Sequence, residues 1–241
     1  MQIIPIHIEK EIGADDDISE LIIASEEIHN GDILVIAQKI ISKQEGRIVE
    51  LSSVVPSLLA EGISSEYEKN PRIIELILNE SKQIIRMERG ILIVETKNGL
   101  ICANAGIDES NVKNGFATLL PLNSDESAEN IRKEILKKIN KTVSVIIADT
   151  FGRPFRMGQT NCAIGISGMN PILDYAGTKD SFEKPLRITA IAIADELCSA
   201  AELVMKKATN CPIAVIRGYD FKNENSSIND LIRPQNEDLF R

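Results

Sequence analysis

Histidine occurs only twice in the 241 residues, at His7 and His29, and neither falls in the two acidic segments described below. That scarcity argues against an imidazole-bound metal and against a Ser-His or Cys-His nucleophile pair. Cys102, Cys162, Cys198 and Cys211 are far apart in apolar settings, with no Cys-x-x-Cys pair. The spacing argues against structural zinc and predicts buried, reduced thiols in a cytoplasmic protein. Neither Gly-x4-Gly-Lys-[Ser/Thr] nor Gly-x-Gly-x-x-Gly is found, so a nucleotide site here has to be of another type. No apolar run approaches ~20 residues, which leaves nothing to span a membrane. Basic residues are in deficit: the net charge of −9 argues against nucleic-acid and anionic-membrane partners. An anionic ligand therefore requires a local positive pocket. The N-terminus lacks the basic start and small-residue cleavage site of a signal peptide and reads as a first strand. With no internal repeat or low-complexity linker, residues 1–241 read as a single catalytic unit, with room for two lobes but no legible border.

What is present centres on Asp149-Thr150-Phe151-Gly152-Arg153-Pro154-Phe155-Arg156-Met157-Gly158-Gln159-Thr160-Asn161. The apolar run 143–148 before it reads as a buried strand that delivers an acid and a hydroxyl to its exit, followed by a short loop with two arginines. Carboxylate and hydroxyl oxygens suit a hard divalent ion, and guanidinium groups suit phosphate or carboxylate oxygens. A triphosphate with its metal satisfies both halves. The plainer alternative is that Asp149 and Thr150 cap a turn and that Arg153 and Arg156 are surface charges.

A second acidic segment, Asp108-Glu109-Ser110-Asn111, ends the apolar strand read over 100–107, where Ala103, Ala105 and Gly106 let something approach closely. Asp108 alone reads as a turn residue, whereas Asp108 and Asp149 together can pair their carboxylates on one metal. A further strand over 32–37 runs into a helix on which Lys39, Lys43 and Arg47 share one face. That face is either solvated or a grip for phosphate or carboxylate.

Elsewhere, Asp17 is placed to cap a helix at Ile18, one helix is entered at Pro56, and another has Asn70 as its cap and Pro71 at its first position. Asn123-Ser124-Asp125 caps an amphipathic helix over 126–140. A glycine-bearing strand covers 162–168, and a polar loop or lid covers 171–185. One long helix is predicted over 187–207 with Asp195, Glu196 and Glu202 as a polar stripe, then a strand over 212–218 and a loosely held tail after Phe221. The fold class is α+β, with mixed sheets and flanking helices in two intimately packed lobes.

These motifs resemble the coenzyme F420-0:L-glutamate ligases, the gamma-glutamyl ligases of F420 biosynthesis. The resemblance runs in order from Gly31-Asp32-Ile33-Leu34-Val35-Ile36 and Ser42-Lys43-Gln44-Glu45-Gly46-Arg47, through Glu95-Thr96 and Asn104-Ala105-Gly106-Ile107-Asp108-Glu109-Ser110-Asn111-Val112. It continues in the 149–160 loop, Ala163-Ile164-Gly165 and Ala194-Asp195-Glu196-Leu197. It implies a homodimeric, GTP-dependent amide ligase needing Mg²⁺ or Mn²⁺, with K⁺ as activator. Such an enzyme phosphorylates the terminal carboxylate of F420-0, lets the amine of L-glutamate displace phosphate, and adds a second glutamate through the gamma-carboxylate. An alternative on the same scaffold is a nucleotide-using ligase or kinase for another carboxylate acceptor, and a third reading is a nucleotide-binding module without catalysis. By position, Asp108, Asp149 and Thr150 match the family's metal-binding residues, and Lys43 and Asn111 match its GTP contacts. Gln38 and the backbone of Glu9, Lys10, Glu11 and Ile12 fall where the family also holds the nucleotide, and charge assigns Arg153 and Arg156 to phosphate or substrate carboxylate. The chain departs after Met205: relatives carry a glycine and then an acidic or amide residue near a second metal, whereas this chain has Lys206-Lys207. A charged lysine cannot ligate Mg²⁺, so direct contact with phosphates is the role left to these two.

Overall fold

Four of the apolar runs assemble into one sheet because each can bury both of its faces. The computed structural model describes residues 1–186, 189–222 and 226–239. In chain order it has β1 (Gln2–Ile6), α1 (Ile18–Ser25), β2 (Ile33–Ala37), α2 (Gln38–Gln44) and β3 (Ile48–Glu50). Next come α3 (Leu58–Tyr67), α4 (Pro71–Glu80), β4 (Ser81–Glu88), β5 (Ile91–Thr96), β6 (Ile101–Ala103) and β7 (Phe116–Thr118). The chain continues with α5 (Ser124–Ile139), β8 (Ser144–Arg153), β9 (Arg156–Ser167), β10 (Leu173–Asp174), β11 (Ala190–Ile191), α6 (Ile193–Met205) and β12 (Ile213–Arg217).

The main sheet has the order β1-β12-β2-β8-β9 and is mixed: β2 and β8 run parallel and the other pairs antiparallel. Alternation along the strands sorts their side chains into two cores. Leu34, Ile36, Val145, Ile147, Ile213 and Val215 meet the apolar stripes of α1, α2 and α5, including Ile22, Ile41 and Ile135. Ile33, Val35, Ile146, Ala148, Ala214 and Ile216 meet Ala194, Leu197, Cys198 and Ala201 of α6. A separate core joins α3 and α4 to the sheet β4-β5-β6 through Ala60, Ile74, Ile77, Leu92 and Val94. The small sheet β3-β7 carries Ala117 into a fourth. The fold is thus α+β with several mixed or antiparallel sheets, as expected.

Local signals were obeyed where side chains decide helix ends. Asp17 accepts from the Glu20 amide, Asn70 from that of Arg72 ahead of Pro71, and Asn123 from that of Glu126. Near Pro56 the cap is Ser57, and α3 starts at Leu58.

Four expectations are corrected. The strand expected to end at Ala148 continues through Arg153 and turns directly into β9, so Asp149 and Thr150 lie inside a β-hairpin arm and the two arginines face each other across its tip. The strand over 100–107 stops at Ala103, because Asn104 and Ala105 both take φ of 53° and break the ladder. Of the helix over 187–207, Arg187 and Ile188 lie outside the described residues, Ala190–Ile191 is extended in β11, and the helix occupies Ile193–Met205. The tail docks: Ile228 is buried, and Asp125 accepts from the Ser227 hydroxyl and the Ile228 amide.

The glycines flagged for close approach have identifiable neighbours. A Cβ on Gly165 would lie 2.4 Å from Ser124, which explains how the start of α5 lies against β9. One on Gly106, where φ is +69°, would lie 2.7 Å from Leu120.

Candidate functional site

The parallel pair β2 and β8 runs in register to Ala37 opposite Ala148, so its carboxyl ends release α2 and the Asp149-Thr150 segment side by side. A crevice outside the carboxyl ends of parallel strands is where open α/β sheets bind ligands. Between Ile147 and Ala148 the β8–β9 pairing slips by one residue, a bulge of the kind that re-aims the side chains following it. From the other side, the double left-handed turn at Asn104-Ala105 brings in Asp108, whose backbone is pinned in both directions to Thr118 at 3.1 and 2.8 Å.

Lys39, in the first turn of α2, joins the two acidic segments. Its Nζ donates to Asp108 Oδ2 at 2.6 Å and to Ser110 Oγ at 2.8 Å, and the Asp149 carboxylate lies within reach of the charges of Lys39, Asp108 and Lys207. Burial pushes the Asp149 carboxyl up to about 6; the Thr150 amide and Lys39 oppose this, and Asp108 adds to it. Burial also acts on Asp108, but hydrogen bonds from Lys39 and Ser110 outweigh it and hold that carboxyl below its ordinary value. Cys102 lies close enough that burial and the Asp149 charge push its thiol up to about 12, and burial raises Cys162, Cys198 and Cys211 as well. All four cysteines are free thiols.

Successive side chains on an extended strand point to opposite faces. Asp149 accordingly shares the Lys39 side, while Thr150 faces the side where α6 ends. There the Thr150 hydroxyl donates to Asn161 Oδ1 at 2.7 Å and accepts from Lys207 Nζ at 2.6 Å. The face of α2 read as solvated or ligand-gripping makes ion pairs and hydrogen bonds within the protein. Lys43 is buried and paired with Glu11, and Arg47, just past the helix, bonds the Leu120 carbonyl at 2.9 Å and pairs with Glu80.

The remaining sequence-selected residues fall into two groups. Glu11 joins the site rim through Lys43, Gln38 is buried with its Oε1 accepting from Ser42 at 2.8 Å, and Ile12 is core. Lys10 pairs with Asp16, Glu9 receives Asn210 at 3.5 Å, and Asn111 sits exposed in a left-handed turn at φ 55°. Arg153 donates to the Met157 carbonyl at 2.9 Å, and its buried Nε has no hydrogen-bond partner among the described residues; Arg156 is exposed at the hairpin tip. The Asp195 carboxylate ties α6 to β9 by accepting from the Ala163 amide at 2.8 Å. Within 171–185 a bridge joins Lys179 to Pro185, and β10 pairs with β11 beyond the segment's end.

Sequence reasoning gave no role to Ser110 and Asn161, although both lie in its two selected segments, and read Glu202 only as part of a polar stripe. A usable signal existed for Asn161, which becomes the cross-strand partner of Thr150 once the 149–161 stretch is read as a hairpin.

On the Lys39 side the oxygens are those of two carboxylates and the Ser110 hydroxyl, a set that fits a hard divalent cation, while the Thr150 hydroxyl and Asn161 amide oxygen lie on the other face. Among the described residues no group of three or more His, Cys, Asp or Glu side chains is arranged to hold a metal. Such an ion would keep several water or phosphate oxygens, as Mg²⁺ commonly does. Among the described residues no helix is long and apolar enough to cross a membrane.

The family model described as F420-0:gamma-glutamyl ligase matches residues 7–218. The chain is 46% identical over 230 residues to the coenzyme F420:L-glutamate ligase of Methanocaldococcus jannaschii, covering 95% of this chain and 92% of that one. It is 44% identical over 238 residues to the Methanothermobacter thermautotrophicus protein of the same name, covering 95% and 94%. With that of Methanopyrus kandleri the identity is 38% over 246 residues, covering 100% and 98%.

Proposed function

Because the chain belongs to the F420-0:gamma-glutamyl ligase family, we propose that it joins the terminal carboxylate of coenzyme F420-0 to the amine of L-glutamate at the expense of GTP, and extends the product through the gamma-carboxylate. The observation that supports the reading is the Lys39–Asp108 contact beside the carboxyl ends of β2 and β8, with the buried Asp149 carboxyl near enough to feel both charges. Transfer of a phosphoryl group asks a protein for positioning and charge neutralisation rather than for a nucleophile of its own. This site has that character, since its thiols are protonated and its histidines are elsewhere.

In this reading Asp108 and Asp149 hold the divalent ion, Mg²⁺ or Mn²⁺. When bound, that ion supplies charge neutralisation between the nucleotide's terminal phosphates. Lys39 balances the charge of Asp108 through its ion pair, and its ammonium would be available to a phosphate oxygen of the nucleotide. Lys43, buried in the last turn of α2 with its ammonium on Glu11, is the further cation assigned to the phosphates. Arg153 keeps its Nε for an anionic oxygen, either phosphate or substrate carboxylate. An acyl phosphate formed here needs water kept away until the amine of glutamate attacks.

The test is mass spectrometry of F420-0 incubated with the protein, GTP, Mn²⁺ and glutamate. A mass gain of one or two glutamyl residues, absent when GTP is withheld, is the expected result. Glutamate-dependent GTP turnover that does not require F420-0 would point to another carboxylate acceptor.

A further inference from the structure

Helix α6 ends in a manner that returns a side chain to the site. Its C-cap, Lys206, has φ 53° and ψ −167°, a region that glycine occupies readily and other residues rarely. The turn so formed carries Lys207 back over the β8–β9 arm. Its Nζ donates to Thr150 Oγ1 at 2.6 Å and to Asn161 Oδ1 at 3.2 Å, with Glu202 Oε1 3.7 Å away. Thr150 gives its own proton to Asn161, so its hydroxyl oxygen presents a lone pair outward, and Asn161 is buried and held. Hydroxyl, amide and carboxylate oxygens thus converge on one positive centre from three elements. An ammonium group satisfies such a cradle with three N–H donors, and a free monovalent cation would use the same oxygens. The Lys207 charge also reaches Asp149 on the neighbouring position of the strand.

We propose that Lys207 is a tethered cation. Its ammonium fills the Thr150–Asn161–Glu202 cradle in place of a free K⁺ or a second divalent ion, leaving only the Asp108–Asp149 position for a metal from solution. The inference rests on reading Asp108 and Asp149 as the divalent site, but its test needs neither nucleotide nor turnover. Removing one positive charge from the cradle lifts a direct repulsion on any incoming cation, so affinity there should rise at least about tenfold even after screening.

The experiment uses the full-length protein stripped with EDTA. Thermal unfolding is followed in K⁺ against tetramethylammonium at equal ionic strength, and Mn²⁺ uptake is counted by electron paramagnetic resonance of the free ion. Wild type should show no K⁺-specific rise in Tm and one bound Mn²⁺ per chain. Lys207→Met should gain either a K⁺-specific rise in Tm or a second Mn²⁺. Wild type that already responds to K⁺ or takes a second Mn²⁺ overturns the proposal. So does a folded Lys207→Met that gains neither, since a merely structural lysine would lower Tm alike in both salts. Should Lys207→Met fail to fold, Lys207→Gln takes its place, and the same gains support the proposal while their absence overturns it. Absence of F420-0 glutamylation would leave these outcomes unaffected, so the two readings fail separately.

Discussion

Replacing Asp149 with asparagine should stabilise the metal-free protein at neutral pH, although the residue sits at the centre of the site. Burial raises its carboxyl from 3.8 in solution to about 6 in the folded chain. Between those values the folded chain keeps a proton that the unfolded chain has released, so stability falls as pH rises through the window and stays lower above it. At about 1.4 kcal/mol for each pH unit, the ionised carboxylate costs the fold up to about 3 kcal/mol above pH 6. Asparagine keeps the shape and can still accept from the Thr150 amide, but it carries no charge to desolvate. Urea unfolding in EDTA from pH 4 to pH 8 reads the difference directly. The two proteins should be equally stable near pH 4 and diverge to about 2–3 kcal/mol in favour of Asp149→Asn by pH 7, or roughly 5–10 °C in Tm. Parallel curves across that range, or a less stable variant at pH 7, would refute the burial argument.

Three other substitutions probe separate parts of the molecule. Lys206→Gly should relieve the φ 53°, ψ −167° conformation and, after the larger unfolded-state entropy of glycine, raise stability by about 1 kcal/mol in denaturant titrations; a loss would show that the backbone there is unstrained. Gly165→Ala should destabilise by about 1–3 kcal/mol, because the added methyl lies 2.4 Å from Ser124, and unchanged unfolding would mean that α5 yields freely. Arg156→Ala should raise the apparent KM for GTP or F420-0 by about tenfold, the worth of one hydrogen bond from a charged donor; kinetics identical to wild type would remove Arg156 from the site.

The strands buried on both faces were legible because they read as unbroken apolar runs: Ile33–Ala37, the first half of β8 and Ile213–Arg217 all stand where the pattern put them. Helix starts with a capping side chain, at Asp17, Asn70 and Asn123, were equally readable, whereas α6 has no side-chain cap and its start was misplaced. The three-residue strands β3 and β7 escaped notice because their pairing joins residues some 70 apart and leaves almost no periodic trace. In the hairpin arm, Gly152 read as loop punctuation, while the register with β9 carries the strand past it to Arg153; Pro154 does mark the turn. The same arm hid the Thr150–Asn161 pair, and with it the destination of Lys207. The residues proposed for chemistry were selected by type and position, but the contacts they make in the fold were not legible. Lys39 looked like one of three equivalent basic residues until the fold set it on Asp108.

Central to the proposed chemistry is one divalent ion shared by two carboxylates that lie 41 positions apart in the chain. The direct measurement is Mn²⁺ binding in the presence of GTP, read by electron paramagnetic resonance, for wild type, Asp108→Asn and Asp149→Asn, each checked for intact folding. Both variants should lose at least about tenfold in Mn²⁺ affinity, equivalent to about 1.4 kcal/mol. Wild-type affinity in either folded variant would place the metal elsewhere and contradict the shared-ion site.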